Sequence, residues 1–132
     1  MTIPLDRPPA AQAGNELLVL QQWEETAAWL LNHTARWPKA VRFTLTQRLD
    51  NHALDVVEML VSARYEPAVR RRLLPEINLR LERMRFLLRL ARDSKVGTPA
   101  GFETAVRRID EAGRMVHGWR VAIGERPRKE EV

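Results

Sequence analysis

Apolar positions along the chain recur every three or four residues in four stretches, and each stretch is bounded by polar or proline-containing punctuation. In the first, residues 15–32, Val19, Leu20, Trp23, Ala27, Leu30 and Leu31 make one stripe. Asn15 is placed to cap it, with Glu16 in the first turn where negative charge is favoured. Pro38 disfavours helix at Trp37, so the second helix is expected at 39–63. It carries Val41, Leu45, Leu49, His52, Val56, Met59 and Ala63 on one face.

The third helix is expected at 67–95, opening on Pro67. Its stripe is Leu73, Ile77, Leu81, Met84, Leu87, Leu88 and Ala91. Pro75 either kinks it or marks a later start. Gly97 suits a helix end in the left-handed region, and Thr98-Pro99 reads as the N-cap and first position of the fourth helix. Phe102, Ala105, Val106, Ile109, Ala112, Gly113, Val116 and Ile123 form its inner stripe. Gly113 and Gly118 each cost about 1 kcal/mol against alanine in a helix, which suggests that another backbone approaches closely there. Short connections and no strand-like alternation predict an all-α, antiparallel up-down-up-down four-helix bundle. The expected organisation is a flexible lead-in at 1–14, the bundle at 15–124 and a charged tail at 125–132.

Helices two and three carry more apolar surface than one bundle core uses. Phe43, Leu54, Val57 and Val61 lie nearly opposite the main stripe of helix two, and Leu79, Phe86 and Leu90 form a second stripe on helix three. Leaving such patches in water forgoes roughly 25 cal/mol per Å². These seven residues are therefore the expected oligomer interface.

The chain has 132 residues, enough for one domain with a sizeable core. Cysteine is absent, which excludes disulfides, thiolate metal sites and cysteine nucleophiles and is compatible with the cytoplasm, the expected location. No apolar run reaches the roughly 18 residues of a membrane span. The histidines, His33, His52 and His117, have no second histidine at i+3 or i+4, and no Glu-x-x-His pair, phosphate loop or nucleophile elbow occurs. The expectation is a protein without catalytic residues, metal or cofactor. His52 reads as a hydrogen-bonded histidine at the core edge, and the four tryptophans read as packing residues.

What remains is charge. The net charge is +5, and residues 66–95 alone contribute +5. Arg85, Arg89 and Arg92 share one flank of helix three, Arg70, Arg71 and Arg72 cluster near its start, and Arg107, Arg108 and Arg114 lie on the outer side of helix four. Part of this is a solvated face with intrahelical pairs, Glu82 with Arg85 and Arg89 among them. The remainder suits either phosphate, bound without sequence preference, or an acidic protein.

Two stretches resemble known proteins. Arg36-Trp37-Pro38-Lys39, followed by Phe43 and Leu45, is similar to the helix one–two turn of bacterial four-helix-bundle proteins, some of them encoded within ribosomal-RNA intervening sequences. MRFLLRL at 84–90, the break ending in Thr98-Pro99, and IDEAGRMVHGW at 109–119 resemble the accessory variability determinant of diversity-generating retroelements. The resemblance covers most of 16–124. It implies a basic bundle assembled as a homopentamer, which binds the retroelement reverse transcriptase and RNA or DNA and supports mutagenic copying without catalysing it. By position, Arg85 and Arg89 match basic positions of its third helix, and Gly118 and Trp119 its small–aromatic pair. The alternative is a four-helix-bundle protein-interaction module with no nucleic-acid role.

Overall fold

The computed structural model describes residues 10–124 and places four long helices in them, α1 (Ala10–Thr34), α2 (Gln47–Tyr65), α3 (Pro67–Asp93) and α4 (Pro99–Ala122). Among the described residues there is no strand. Each helix packs on the next in the chain, and α1 closes the square on α4. Cross-helix pairs give the direction. Glu16 meets Arg64 while Thr34 meets Asp50, Arg70 meets Ala63 while Arg80 meets Asp55, and Arg71 meets Ile123 while Arg85 meets Asp110. Numbers rise on one helix as they fall on its neighbour, so adjacent helices are antiparallel.

The stripes read from the sequence form one core. Val19, Trp23, Ala27 and Leu30 of α1 meet Leu49, Val56 and Ala63 of α2, Leu73, Ile77, Leu81, Met84, Leu88 and Ala91 of α3, and Ala105, Ile109, Ala112 and Val116 of α4, all buried. The Trp23 indole donates to the Ala53 carbonyl across the α1–α2 seam at 3.0 Å, which lets a large polar-tipped ring lie fully inside. Trp119, which the stripe of α4 left out, is buried as well.

Helix starts depart from the pattern in two places. α1 begins at Ala10, so Asn15 lies within the helix and not at its start, and Glu16 stands in the second turn. Residues 1–9 and the tail 125–132 lie outside the described residues. The segment expected to open α2 is composite, a 3₁₀ turn at Lys39–Val41 followed by a π turn at Arg42–Thr46. Pro38 is extended at φ −58°, ψ 145°, and Val41 at φ −107°, ψ 9° breaks the regular winding between the two. Both kinds of turn hold the same apolar positions near the core, which periodicity alone cannot separate from an α-helix.

α3 is continuous through Pro75, which excludes a start near that residue. It ends in a Schellman arrangement. Lys95 is left-handed at φ 59°, and Val96 N–H donates to the Ala91 carbonyl at 2.8 Å. Gly97 follows at φ 79°, as its glycine predicts. Thr98 then caps α4, its Oγ1 accepting from Gly101 N–H at 3.0 Å, with Pro99 at the first helical position. The close approach expected at two glycines of α4 occurs at one. A Cβ on Gly113 would stand 3.1 Å from Nη2 of Arg85, a side chain and not a backbone, whereas Gly118 faces open space.

Candidate nucleic-acid interface

A groove of about 700 Å³ runs along the outer seam of α3 and α4. Its floor is apolar, from Phe102 and Val106, and Arg92, Arg107 and Arg114 stand around it with Glu103 and Asp110 between. The α4 members recur at helical spacing, so one face of that helix presents them all. Arg92 lies over the Phe102 ring at 4.8 Å and bonds Asp93 at 3.2 Å. Arg114 holds Glu111 at 2.6 Å, one turn along its own helix, and Arg107 makes no ion pair among the described residues. An exposed guanidinium already stacked on a ring keeps its donor fork turned to solvent, ready for phosphate or carboxylate.

The nine arginines singled out by the sequence do not form a single patch. Arg92, Arg107 and Arg114 share the groove. Arg89 is exposed beyond it on α3, over the Phe86 ring at 4.5 Å. Arg85 is turned inward along the rim, its Nε on Asp110 at 2.7 Å and its Nη1 on Glu82 at 2.6 Å. Arg108 is half-buried on the α1–α4 seam, with its guanidinium over Trp29. Arg71 and Arg72 are exposed at the other end of α3, with Arg71 reaching the Ile123 carbonyl at 3.2 Å and Arg72 close to Glu76 at 3.9 Å.

Arg70 is an internal residue. It donates to the Ala63 and Arg64 carbonyls at 2.6 and 2.8 Å, closes the α2–α3 corner and lies over the Trp119 ring. With Arg64 it also faces the buried Glu16, at 3.9 and 3.6 Å. Burial pushes the Glu16 carboxyl above its usual range, and the two guanidiniums oppose that rise. Sequence spacing cannot show this, because Glu16 comes from a helix distant in the chain.

The apolar residues assigned to an oligomer interface largely stay outside the core. Phe43 is 79% exposed, and Leu54, Val61, Leu79, Phe86 and Leu90 are exposed too. Val57 differs, being only partly buried and packed against the core. His52 sits at the core edge as expected, its Nδ1 3.4 Å from Arg80. Two features went unnoticed in the sequence. The floor of the groove is made by Phe102 and Val106, which periodicity assigned to the inner stripe, and Asp110 is the carboxylate that captures Arg85.

The chain matches the bAvd-like family over residues 17–123, a stretch that takes in nearly the whole bundle. It belongs to that family. Avd proteins are accessory proteins, and this chain is an accessory protein of that family. No curated protein and no solved structure matches the chain. No helix among the described residues is long and apolar enough to cross a membrane. Nor do the described residues bring together three or more His, Asp or Glu side chains able to hold a metal ion.

Proposed function

We propose that this bAvd-like chain is a non-catalytic accessory subunit of a diversity-generating retroelement, which binds nucleic acid through the α3–α4 groove and presents it to the reverse transcriptase. The observation that carries the reading is the trio Arg92, Arg107 and Arg114 around an apolar floor. Phosphates match the guanidinium forks, and the apolar floor offers a surface on which bases can rest. The exposed apolar residues of α2 and α3 support self-association, for which the family resemblance suggests five copies, so that several shallow grooves act together and avidity replaces single-site affinity.

The test is retardation of RNA and DNA across a salt series. Log affinity is expected to fall linearly with log salt, by about 0.7–0.9 per phosphate neutralised. Arg107→Gln with Arg114→Gln should flatten that slope, and co-purification should recover the reverse transcriptase. No retardation at low salt removes the nucleic-acid role. The groove's arginines, interleaved with Glu103 and Asp110, would then fit a protein partner of mixed charge.

A further inference from the structure

A second cleft lies at the end of the bundle where the last turn of α1 meets the start of α4. It is separate from the α3–α4 groove and measures about 490 Å³. Trp29, His33, Arg36 and Trp37 form one wall, and Gly97 to Gly101 supply the other through Thr98 and Ala100. No carboxylate lines it.

Several of its polar groups have a donor to spare. Pro99 has no N–H, Gly101 N–H is taken by Thr98 Oγ1, and Phe102 N–H is taken by the Thr98 carbonyl. That leaves the Ala100 N–H at the positive end of α4, a 24-residue helix. The Thr98 hydroxyl, whose oxygen already accepts, has its proton to give. Arg36 is exposed beside them.

An independent observation comes from Trp37. Its side chain is buried, with the residue only 8% exposed, yet Nε1 has no hydrogen-bond partner. A Cβ built on Gly97 would stand 2.8 Å from that nitrogen, so the indole N–H lies directly beneath the glycine wall of the cleft. Buried donors are almost always paired, and an orphan at the edge of a cleft marks a place for an acceptor. His33 is fixed alongside. It stacks on Trp29 with centroids 5.0 Å apart and meets the Trp37 ring edge-on at 6.1 Å. A Cβ on Gly101 would collide with its ring.

We propose that this cleft binds a phosphate group, with Ala100 N–H, the Thr98 hydroxyl and Arg36 as its outer donors and Trp37 Nε1 as the donor at its floor. A phosphate has the several acceptor oxygens that such a donor set needs, and the N-terminus of a long helix favours its charge. Free inorganic phosphate and the terminal phosphate of a nucleic-acid strand share this chemistry.

His33 reports on occupancy. Burial holds its pKa below the usual histidine value, and Arg36 pushes it further down. Arg92 lies beside it from α3, and Arg108 approaches through Trp29 from α4, so Arg36, Arg92 and Arg108 together give it a cationic surrounding. A bound dianion reverses that field and raises the His33 midpoint.

The experiment is NMR of the indole N–H and imidazole signals of the whole chain. Inorganic phosphate is titrated against chloride at matched ionic strength, and a 5′-phosphorylated oligonucleotide is compared with its 5′-hydroxyl twin. A saturable shift of the Trp37 N–H with a raised His33 midpoint is expected in at least one phosphate arm. Arg36→Gln should weaken that binding about tenfold, the contribution of one charge-assisted hydrogen bond. Response to inorganic phosphate alone assigns a free anion, and response to the phosphorylated oligonucleotide over its twin assigns a strand end. Silence in both arms, or an equal response to chloride, overturns the site. Failure here leaves the groove reading intact, because that reading is tested by the salt slope of the Arg107 and Arg114 variants.

Discussion

Arg85 crosses from α3 to α4 and donates from Nε to Asp110 Oδ1 at 2.7 Å, with its Nη2 passing over Gly113. A basic residue on the outer flank of a helix thus acts as a clasp between two helices. Glu82 holds the other side of the same guanidinium at 2.6 Å.

Arg85→Gln should therefore act on stability and not on nucleic-acid binding. The loss should be about 1 kcal/mol, since Asp110 and Glu82 are half-open to water and screening discounts the charges. Urea unfolding measures the loss, and the salt slope of strand binding should stay unchanged. Arg107→Gln should do the opposite. If Arg85→Gln flattened the slope as much as Arg107→Gln, the division between clasp and groove would be wrong.

Gly118→Ala should raise stability by about 0.5–1 kcal/mol, because the position is helical, exposed and surrounded by open space. Gly113→Ala should be neutral or unfavourable, because its methyl would displace the Arg85 guanidinium. Thermal denaturation of the two variants checks the contrast.

How much of this was legible in the sequence depends on whether a feature is local. The Thr98-Pro99 start of α4 and the left-handed Gly97 are set by residues within one turn, and they stand where the sequence puts them. The core stripe of α3 is equally local. Arg70 and Arg85 stand among the candidate binding arginines in the sequence, because the groups that turn them inward, Glu16 with the Ala63 carbonyl and Asp110, belong to other helices. The π turn at Arg42–Thr46 was illegible for another reason. Five residues of apolar spacing look alike whether each N–H reaches four or five residues back.

Trp23→Phe should cost about 2 kcal/mol. The indole loses its bond to the Ala53 carbonyl and leaves unfilled volume in the α1–α2 seam. Denaturant unfolding should show a lower midpoint with the slope unchanged. A loss near zero would mean that the seam closes over the smaller ring.

Acidification should weaken the fold before it titrates the carboxylates. The pKa values of His33 and His52 are held below 6.5 by burial first and by neighbouring arginines second. The unfolded chain therefore takes up these protons at a higher pH than the folded one. Their contribution is complete above pH 6.5 and is lost as pH falls from there to the folded values. Glu16 and Asp50 run the other way. Burial raises them above 4.5 and 3.8, so the fold binds their protons first and regains stability as pH falls toward those values. Unfolding free energy across a pH series should show the histidine loss, and His33→Gln with His52→Gln should remove it. A loss that persisted in the double variant would place its origin elsewhere.

Phe86→Glu should dissociate the proposed oligomer while leaving the helical circular-dichroism signal in place. Phe86 is 56% exposed and adds little to the core of its own bundle. Light scattering that found the wild-type chain monomeric at micromolar concentration would remove the assembly from the proposal.

Glu66 is the one residue between α2 and α3, whereas Ser94 to Thr98 separate α3 from α4. Closing so short a connection restricts the least chain, so the α2–α3 hairpin can form before any distant contact is made. Its Arg70 clasp on Ala63 and Arg64 lies at that corner and can assemble with the hairpin. The first and last helices then have a ready-made template to dock on, and a one-residue connection favours that order of assembly.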